Sequence, residues 1–371
     1  MKILICNRHP HFSLGGSEIQ CDLIATHLHR RGHQVVYAAL GADEQPEQPQ
    51  GYRVASVQDV NLRSLSRLVA QTNPDLLYWR YNRNTFLRAA LLCHMAGIKS
   101  VFSVSNPRDL EQWLCFTEQQ HPWWSPRAAK TFAKRRAQQI MGCISYQGFR
   151  FFDGVVSLSS NLLQRVPPHP VGPKRRAAIY NCMEDDEVAP FRWPRPYIAW
   201  VANLKRCKNP EQFIELATGL RDLPIDFLMC GIIQHREYEF LNQPSRLPEN
   251  LFYLGPKSIA EVNGILRNAL CMVHTCDPEG FGNNFIQSWL QQTPTVSLYF
   301  DPDELIETRR IGFLSHTQTR FQRHVRQLYR DERLRREMGR RARSFAVRNF
   351  NPDRNLPRYE AFFESVLAEA G

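Results

Sequence analysis

The stretch EGFGNNFIQ, residues 279–287, packs an acid, two flexible backbone positions and a helix start into one short segment. Gly280 and Gly282 let the chain curl around Phe281, and Asn283 and Asn284 open a helix whose apolar face is Phe285, Ile286, Trp289 and Leu290. The first turn of a helix carries N–H groups without intrahelical partners, which makes such a start a seat for phosphate. Glu279 can accept hydrogen bonds from sugar hydroxyls, and Gln287, about two turns further on, from a ribose. That is the chemistry of a diphosphate-linked sugar. The plainer reading is a glycine turn with an acid near a helix start; here the combination tips the reading towards function.

Two further segments join it. In VANLKRCKNPEQF (201–213), Lys205 and Lys208 follow a strand and precede a helix, where they would neutralise a diphosphate. By spacing alone they read as two solvated surface lysines. In SLGGSE (13–18), Gly15 and Gly16 follow the first strand and open a helix, allowing close backbone approach to an anion. A plain turn accounts for that segment equally well, and it is not the GxGxxG of a dinucleotide site.

Positioning these residues requires alternating strands and helices. KILIC (2–6), HQVVYAAL (33–40), LLYWR (76–80), GIKSVFSVS (97–105), GVVSLSS (154–160) and AAIYN (177–181) read as strands of a first set. Ile19 to Leu28 is a helix closed by Arg30, Arg31 and Gly32. EDDEVAPFRWPRP (184–196), with its prolines and acidic run, reads as a linker. A second set follows: YIAWVAN, the helix PEQFIELATGL, then IDFLMCG, NLFYLG, LCMVHTC and PTVSLYF. The arginine-rich stretch 320–348 reads as helical, with Phe321, Val325, Leu328, Leu334 and Met338 on one buried face. Strand–helix alternation of this kind predicts two α/β domains with doubly wound parallel sheets, whose strand C-termini line a shared ligand crevice.

Composition limits the function classes. At 371 residues and 43% hydrophobic content, the chain has room for two ordinary domains and no sign of wholesale disorder. No apolar run approaches the roughly 20 residues that span a bilayer. The apolar N-terminal run is too short for a signal peptide and reads as a buried strand. Ten cysteines without a CxxC argue against zinc and a disulfide framework, and for the reducing cytosol. Residues 1–184 carry 22 Lys+Arg against 12 Asp+Glu, and residues 185–371 carry 25 against 24, so nearly all of the net +11 lies in the first half. Residues 121–152 alone hold six Lys+Arg and no acid, along with Trp123, Trp124, Phe132, Ile140 and Met141. This segment reads either as a contact for an anionic membrane or as a helix between strands with core apolar residues. Charge alone would permit nucleic acid, but no recognition motif supports it.

The order of segments resembles the retaining GT4 glycosyltransferases of GT-B fold (glycosyl transferases group 1). GGSE, VANLKRCKNPEQFIELA, LFYLGPKSIAEVNGILRNA, EGFGNNFIQSWLQQTPTVSLYFDPDELIE and LRREMGRRARSF appear in family order across nearly the whole chain. The resemblance implies two Rossmann-like domains facing a central cleft: an acceptor-side domain (1–184), a linker (185–196), a nucleotide-sugar domain (197–348) and a C-terminal helix returning to the first domain (349–371). It implies that Lys208 binds the diphosphate with Lys205 as helper, and that Glu279 holds the transferred sugar. The backbone around Gly280, Phe281, Gly282, Asn283 and Asn284 would bind the distal phosphate, with Gly15 and Gly16 against diphosphate or acceptor. Two positions depart from the family: Asn203 stands where an arginine is usual, and Gln287 replaces the second glutamate of E-x7-E. The histidine often found after the fourth strand has no match in SVSNPRDL, which offers Ser105, Asn106 and Asp109. The expected reaction is sugar transfer from a nucleotide-diphosphate sugar to a glycan or lipid-linked acceptor, in the cytoplasm or at the inner membrane face, with no metal or other cofactor. Asp301-Pro302-Asp303 resembles a metal-binding DxD but reads as a loop acid pair in this context. The two departures leave open a non-catalytic partner subunit; a nucleotide-sugar epimerase is disfavoured by the EGFG block.

Overall fold

The computed structural model describes residues 1–12, 15–44, 51–114, 126–184 and 187–368, with no side-chain description for 126–131. The chain divides into two compact units, Met1–Tyr180 with Asn355–Gly371, and Asn181–Arg354.

In the first unit seven strands, β1 (Lys2–Asn7), β2 (Gln34–Leu40), β3 (Arg53–Val57), β4 (Leu76–Trp79), β5 (Lys99–Val104), β6 (Gly154–Ser157) and β7 (Arg175–Ala178), form one sheet in the order β3-β2-β1-β4-β5-β6-β7. Every pair is parallel, for example Leu4 beside Val36 and Leu77. Its helices are α1 (Gly16–Arg30), α2 (Leu62–Thr72), α3 (Phe86–Ala96), α4 (Pro126–Tyr146) and α5 (Ser160–Arg165). Parallel strands need both faces covered, which is why β4, and β1 from Ile3 to Cys6, are continuously apolar rather than alternating.

The second unit repeats the design with β8 (Tyr197–Val201), β9 (Asp226–Cys230), β10 (Leu251–Tyr253), β11 (Met272–His274), β12 (Thr295–Ser297) and β13 (Gly312–Leu314), again all parallel, in the order β10-β9-β8-β11-β12-β13. Its helices are α6 (Pro210–Gly219), α7 (Ile259–Asn268), α8 (Asn283–Leu290), α9 (Leu305–Thr308), α10 (Gln318–Arg330) and α11 (Glu332–Asn349). Trp289 of α8 is fully buried among Phe281, Phe285, Phe345 and Phe350, with ring centroids 5.6 to 6.5 Å away.

The last helix, α12 (Pro352–Leu367), belongs from Asn355 onwards to the first unit. Tyr359 and Phe363 pack on Tyr78 of β4, and Glu360 accepts from His33 at 2.9 Å and pairs with His27 at 3.2 Å. His27 and His33 are therefore anchors for this helix.

Several expectations shift. The strand placed at 177–181 runs earlier, Arg175–Ala178. Two edge strands, β3 and β13, were not read from sequence: the first is only partly buried and the second is three residues long, so neither presents a continuous apolar run. The stretch 320–348 is two helices. Asp331 ends α10 and caps α11 by accepting the Leu334 N–H at 2.9 Å. Phe321, Val325, Leu328 and Met338 are buried as expected, while Leu334 packs only at the margin of that core.

Candidate functional site

The site residues of the second unit gather where β8 and β11 end. Parallel pairing sets Ala199 of β8 opposite Met272 of β11, so the loops that follow both strands start side by side. Thr275 ties them together. Its hydroxyl accepts from the Trp200 indole at 2.9 Å and donates to the Lys208 carbonyl at 2.6 Å, and its own carbonyl accepts from Asn209 Nδ2 at 3.1 Å. Lys208 closes a short 3-10 turn (Arg206–Lys208), and Asn209 adopts a left-handed conformation (φ 47°) before Pro210 starts α6. Two segments some 70 residues apart are thus clamped by backbone and hydroxyl contacts.

This clamp brings Lys208 onto Glu279. The ammonium Nζ donates a short hydrogen bond to Glu279 Oε2. Burial would raise the Glu279 carboxyl, but the charge and hydrogen bond of Lys208 outweigh it and hold the group well below the usual carboxylate range. Burial likewise opposes the Lys208 charge, and Glu279 more than restores it, so both stay ionised at neutral pH. His274, the last residue of β11, is 2% exposed, and its ring lies 4.4 Å from that of Phe285. Its Nε2 stands 3.7 Å from Glu279, beyond hydrogen-bond reach, and neither ring nitrogen has a hydrogen-bond partner among the described residues. Burial lowers its pKa, so the imidazole is neutral.

The loop after Glu279 turns into α8 at Gly282, whose φ of 85° suits glycine. Asn284 Nδ2 donates to the Val201 carbonyl at the end of β8 at 3.0 Å, and Asn181 Nδ2 donates to Asn283 Oδ1 at 2.7 Å. Both asparagine side chains thus fix the helix start in place, and what remains for an anion there is backbone. Phe281 is fully buried in the aromatic cluster, so only its backbone can take part, and Gly280 donates to Glu279 Oε1 at 3.1 Å. Gln287 is half-buried and its Nε2 reaches Asn263 Oδ1 at 3.5 Å. Asn203 accepts the Ile232 N–H at 3.4 Å, so it supports the β8–β9 loops, and Lys205 is half-buried at the turn that leads to Lys208.

In the first unit, Gly15 caps α1 and Gly16 begins it, with Ser13 and Leu14 outside the described residues. A Cβ on Gly15 would fall 2.3 Å from the Glu18 carboxylate, so this helix start already faces an acid. Asp109 accepts the Ser105 and Asn106 N–H groups, both at 2.9 Å; burial raises its pKa to about 6. Asp301 accepts the N–H groups of Ile306 and Glu307 at 2.8 and 3.1 Å, so its carboxylate is spent on the first turn of α9.

His274, Cys276 and Glu279 offer ligand-type atoms within 4.8 Å of one another, but the Glu279 carboxylate is already engaged by a cation, and we assign no metal there. His274 was missed in the sequence reading. The signal was a histidine ending an otherwise apolar strand five residues before Glu279.

Two parallel-sheet α/β units, with this lysine–glutamate pair at the strand ends of the second, define a protein of GT-B fold. Two family models match consecutive parts of the chain: Glycosyltransferase Family 4 over residues 14–187 and Glycosyl transferases group 1 over residues 184–345. The chain belongs to the GT4-type glycosyltransferases. No curated protein matches it in sequence. Among solved structures it is similar to sucrose-phosphate synthase from Thermosynechococcus elongatus, at 14% identity with 100% of each chain covered and a TM-score of 0.76. HepE from Anabaena in complex with UDP-glucose matches at 16% identity over 98% of this chain and 100% of its own, with a TM-score of 0.71. WaaG, a glycosyltransferase involved in lipopolysaccharide biosynthesis, matches at 14% identity over 100% of both chains with a TM-score of 0.66.

Proposed function

We propose that the chain moves a hexosyl group, with retention of configuration, from a nucleoside-diphosphate sugar to a hydroxyl of a glycan or lipid-linked acceptor. The half-buried Lys208–Glu279 pair beside the start of α8 carries this reading. The structure of HepE with UDP-glucose supports the donor class.

The pair supplies a charge exchange. In the resting protein Glu279 keeps Lys208 protonated in a half-buried setting. An incoming diphosphate competes for the ammonium, and the released carboxylate turns to the sugar hydroxyls. As the bond to the anomeric carbon breaks, negative charge grows on the leaving phosphate, where Lys208 and the backbone N–H groups of the α8 start stabilise it. Neutral His274 adds no competing positive charge beside Lys208. The acceptor hydroxyl approaches the face the diphosphate leaves and passes its proton to that phosphate. The scheme asks of the protein positioning and charge neutralisation, and no metal ion. Gln287 offers a carbonyl to the ribose in place of a carboxylate, at reduced strength.

The test is transfer or donor hydrolysis with a panel of UDP-, GDP- and ADP-sugars, read by anomer-resolving NMR. Turnover with retained configuration and unchanged in EDTA agrees with the proposal; a chain inert to every donor is instead the non-catalytic partner subunit.

For the lipid-linked acceptor, α4 supports an anionic membrane surface as partner. Phe132, Ile140, Met141 and Ile144 project from it at 48 to 60% exposure, interleaved with Lys134, Arg135 and Arg136. Trp113 is also exposed, on a segment seated against Gly142. Arg83 pins the helix by donating to the Gly142 carbonyl at 3.0 Å. Trp123 and Trp124, the other aromatic residues read for this role, lie outside the described residues. Among those described, no helix is long and apolar enough to cross a membrane.

A further inference from the structure

Among the described cysteines, seven, at 6, 21, 93, 182, 230, 271 and 276, are buried. Cys276 and half-buried Cys207 differ from the rest in where they stand. They flank the Lys208–Glu279 pair, one on each clamped loop. The backbone holds them in register: the Asp277 N–H donates to the Cys207 carbonyl at 3.3 Å, and the Thr275 hydroxyl to the Lys208 carbonyl at 2.6 Å. Cys207 is half-buried while Cys276 is buried, with its Sγ 3.5 Å from the Pro278 carbonyl.

We propose that Cys207 is an oxidant-reactive modification site and Cys276 its resolving partner, so that a peroxide closes a reversible disulfide beside Lys208. One thiol is exposed enough to meet a small oxidant, and the second is buried on the loop held against it by the backbone. The Cys276 thiol beside it favours Cys207 as a thiolate; burial opposes the charge, and Lys205 and Lys208 favour it against Glu279, bringing the Cys207 pKa down to about 6. Cys207 and burial in turn raise Cys276, which keeps its proton until it attacks.

The step balances. The Cys207 thiolate attacks one oxygen of hydrogen peroxide, the O–O bond breaks, and hydroxide leaves and takes up a proton, giving Cys207 sulfenic acid. Cys276 sulfur loses its proton and attacks Cys207 sulfur; the S–S bond forms and the sulfenic oxygen departs as water. Two thiols and one peroxide yield one disulfide and two waters, and a dithiol reductant reverses the bond. Closure removes a thiolate next to Lys208. Any effect on donor binding rests on the transferase reading; closure of the bond does not.

The full chain is treated with hydrogen peroxide at pH 7 and mapped by non-reducing peptide mass spectrometry. The expected product is a peptide linked through Cys207 and Cys276, absent after dithiothreitol and absent in Cys207→Ser. In Cys276→Ser, Cys207 accumulates as sulfenic acid, trapped by dimedone. Cys143, also half-buried, serves as internal reference, and Cys207 reacts with iodoacetamide about tenfold faster. The proposal is overturned if Cys207 is alkylated no faster than Cys143, or if peroxide leaves the Cys207–Cys276 pair unlinked in the wild type. Neither readout uses sugar transfer, so failure here leaves the function of the site standing.

Discussion

Lys208 and Glu279, 71 positions apart in the chain, form one half-buried ion pair beyond the ends of adjacent parallel strands. Removing either partner leaves the other charge unpaired in a largely shielded position. Lys208→Ala is expected to lower turnover by about 100- to 1,000-fold, the usual cost of losing one charge-stabilising donor. It also lowers stability by about 3 kcal/mol, with the far-UV circular dichroism retained. The double variant Lys208→Met/Glu279→Leu regains most of that stability while staying inactive. Wild-type turnover in Lys208→Ala would refute the assignment.

Two carboxylates have opposite pH signatures. Glu279 has a lowered folded value, so its contribution to stability is present above the unfolded carboxyl value of about 4.3 and is lost as pH falls below it. The stability gap between wild type and Glu279→Gln should therefore shrink from pH 5 to pH 3. Asp109 is raised to about 6, so its ionisation costs stability as pH rises from about 4 through 6. Wild type should lose stability relative to Asp109→Asn over that range. Urea unfolding at stepped pH reads both, and a flat Asp109 difference would place that group in the ordinary range.

Gly282 must turn the chain at φ 85°, and a Cβ there would meet Asn284 Oδ1 and Phe285 at 2.9 Å. Gly282→Ala is expected to cost roughly 1–2 kcal/mol and to reduce turnover by displacing the α8 start. Steady-state kinetics beside thermal unfolding checks this; a variant with unchanged kinetics would show that the turn does not position the phosphate seat.

Trp289 fills the core behind α8. Trp289→Ala is expected to destabilise by about 3–5 kcal/mol, measured by denaturant unfolding.

The exposed stripe of α4 gives a binding test. Sedimentation with vesicles of mixed anionic and neutral phospholipid at low salt should capture the chain, and Phe132→Ser/Ile140→Ser should weaken capture several-fold. Equal binding to neutral vesicles, or none, would remove the membrane from the proposal.

The amino-acid sequence by itself determined the strand–helix alternation, because strands buried on both faces must be continuously apolar; β1, β4 and β9 are legible for that reason. It also marked the loop–helix start at 279–284 and the lysines before α6. Only the tertiary structure decided which of those groups meet. Lys208 reaches Glu279 because β8 and β11 are neighbours in the sheet and Thr275 locks their loops, a pairing that no local spacing encodes. The same holds for the backbone bond that sets Cys207 against the Cys276 loop, for buried His274 beside Glu279, and for Glu360 holding two histidines more than 300 positions away. Apolar periodicity is a property of neighbours along the chain, whereas a site is built from burial and charge pairing across strands, and those appear only once the sheet has closed.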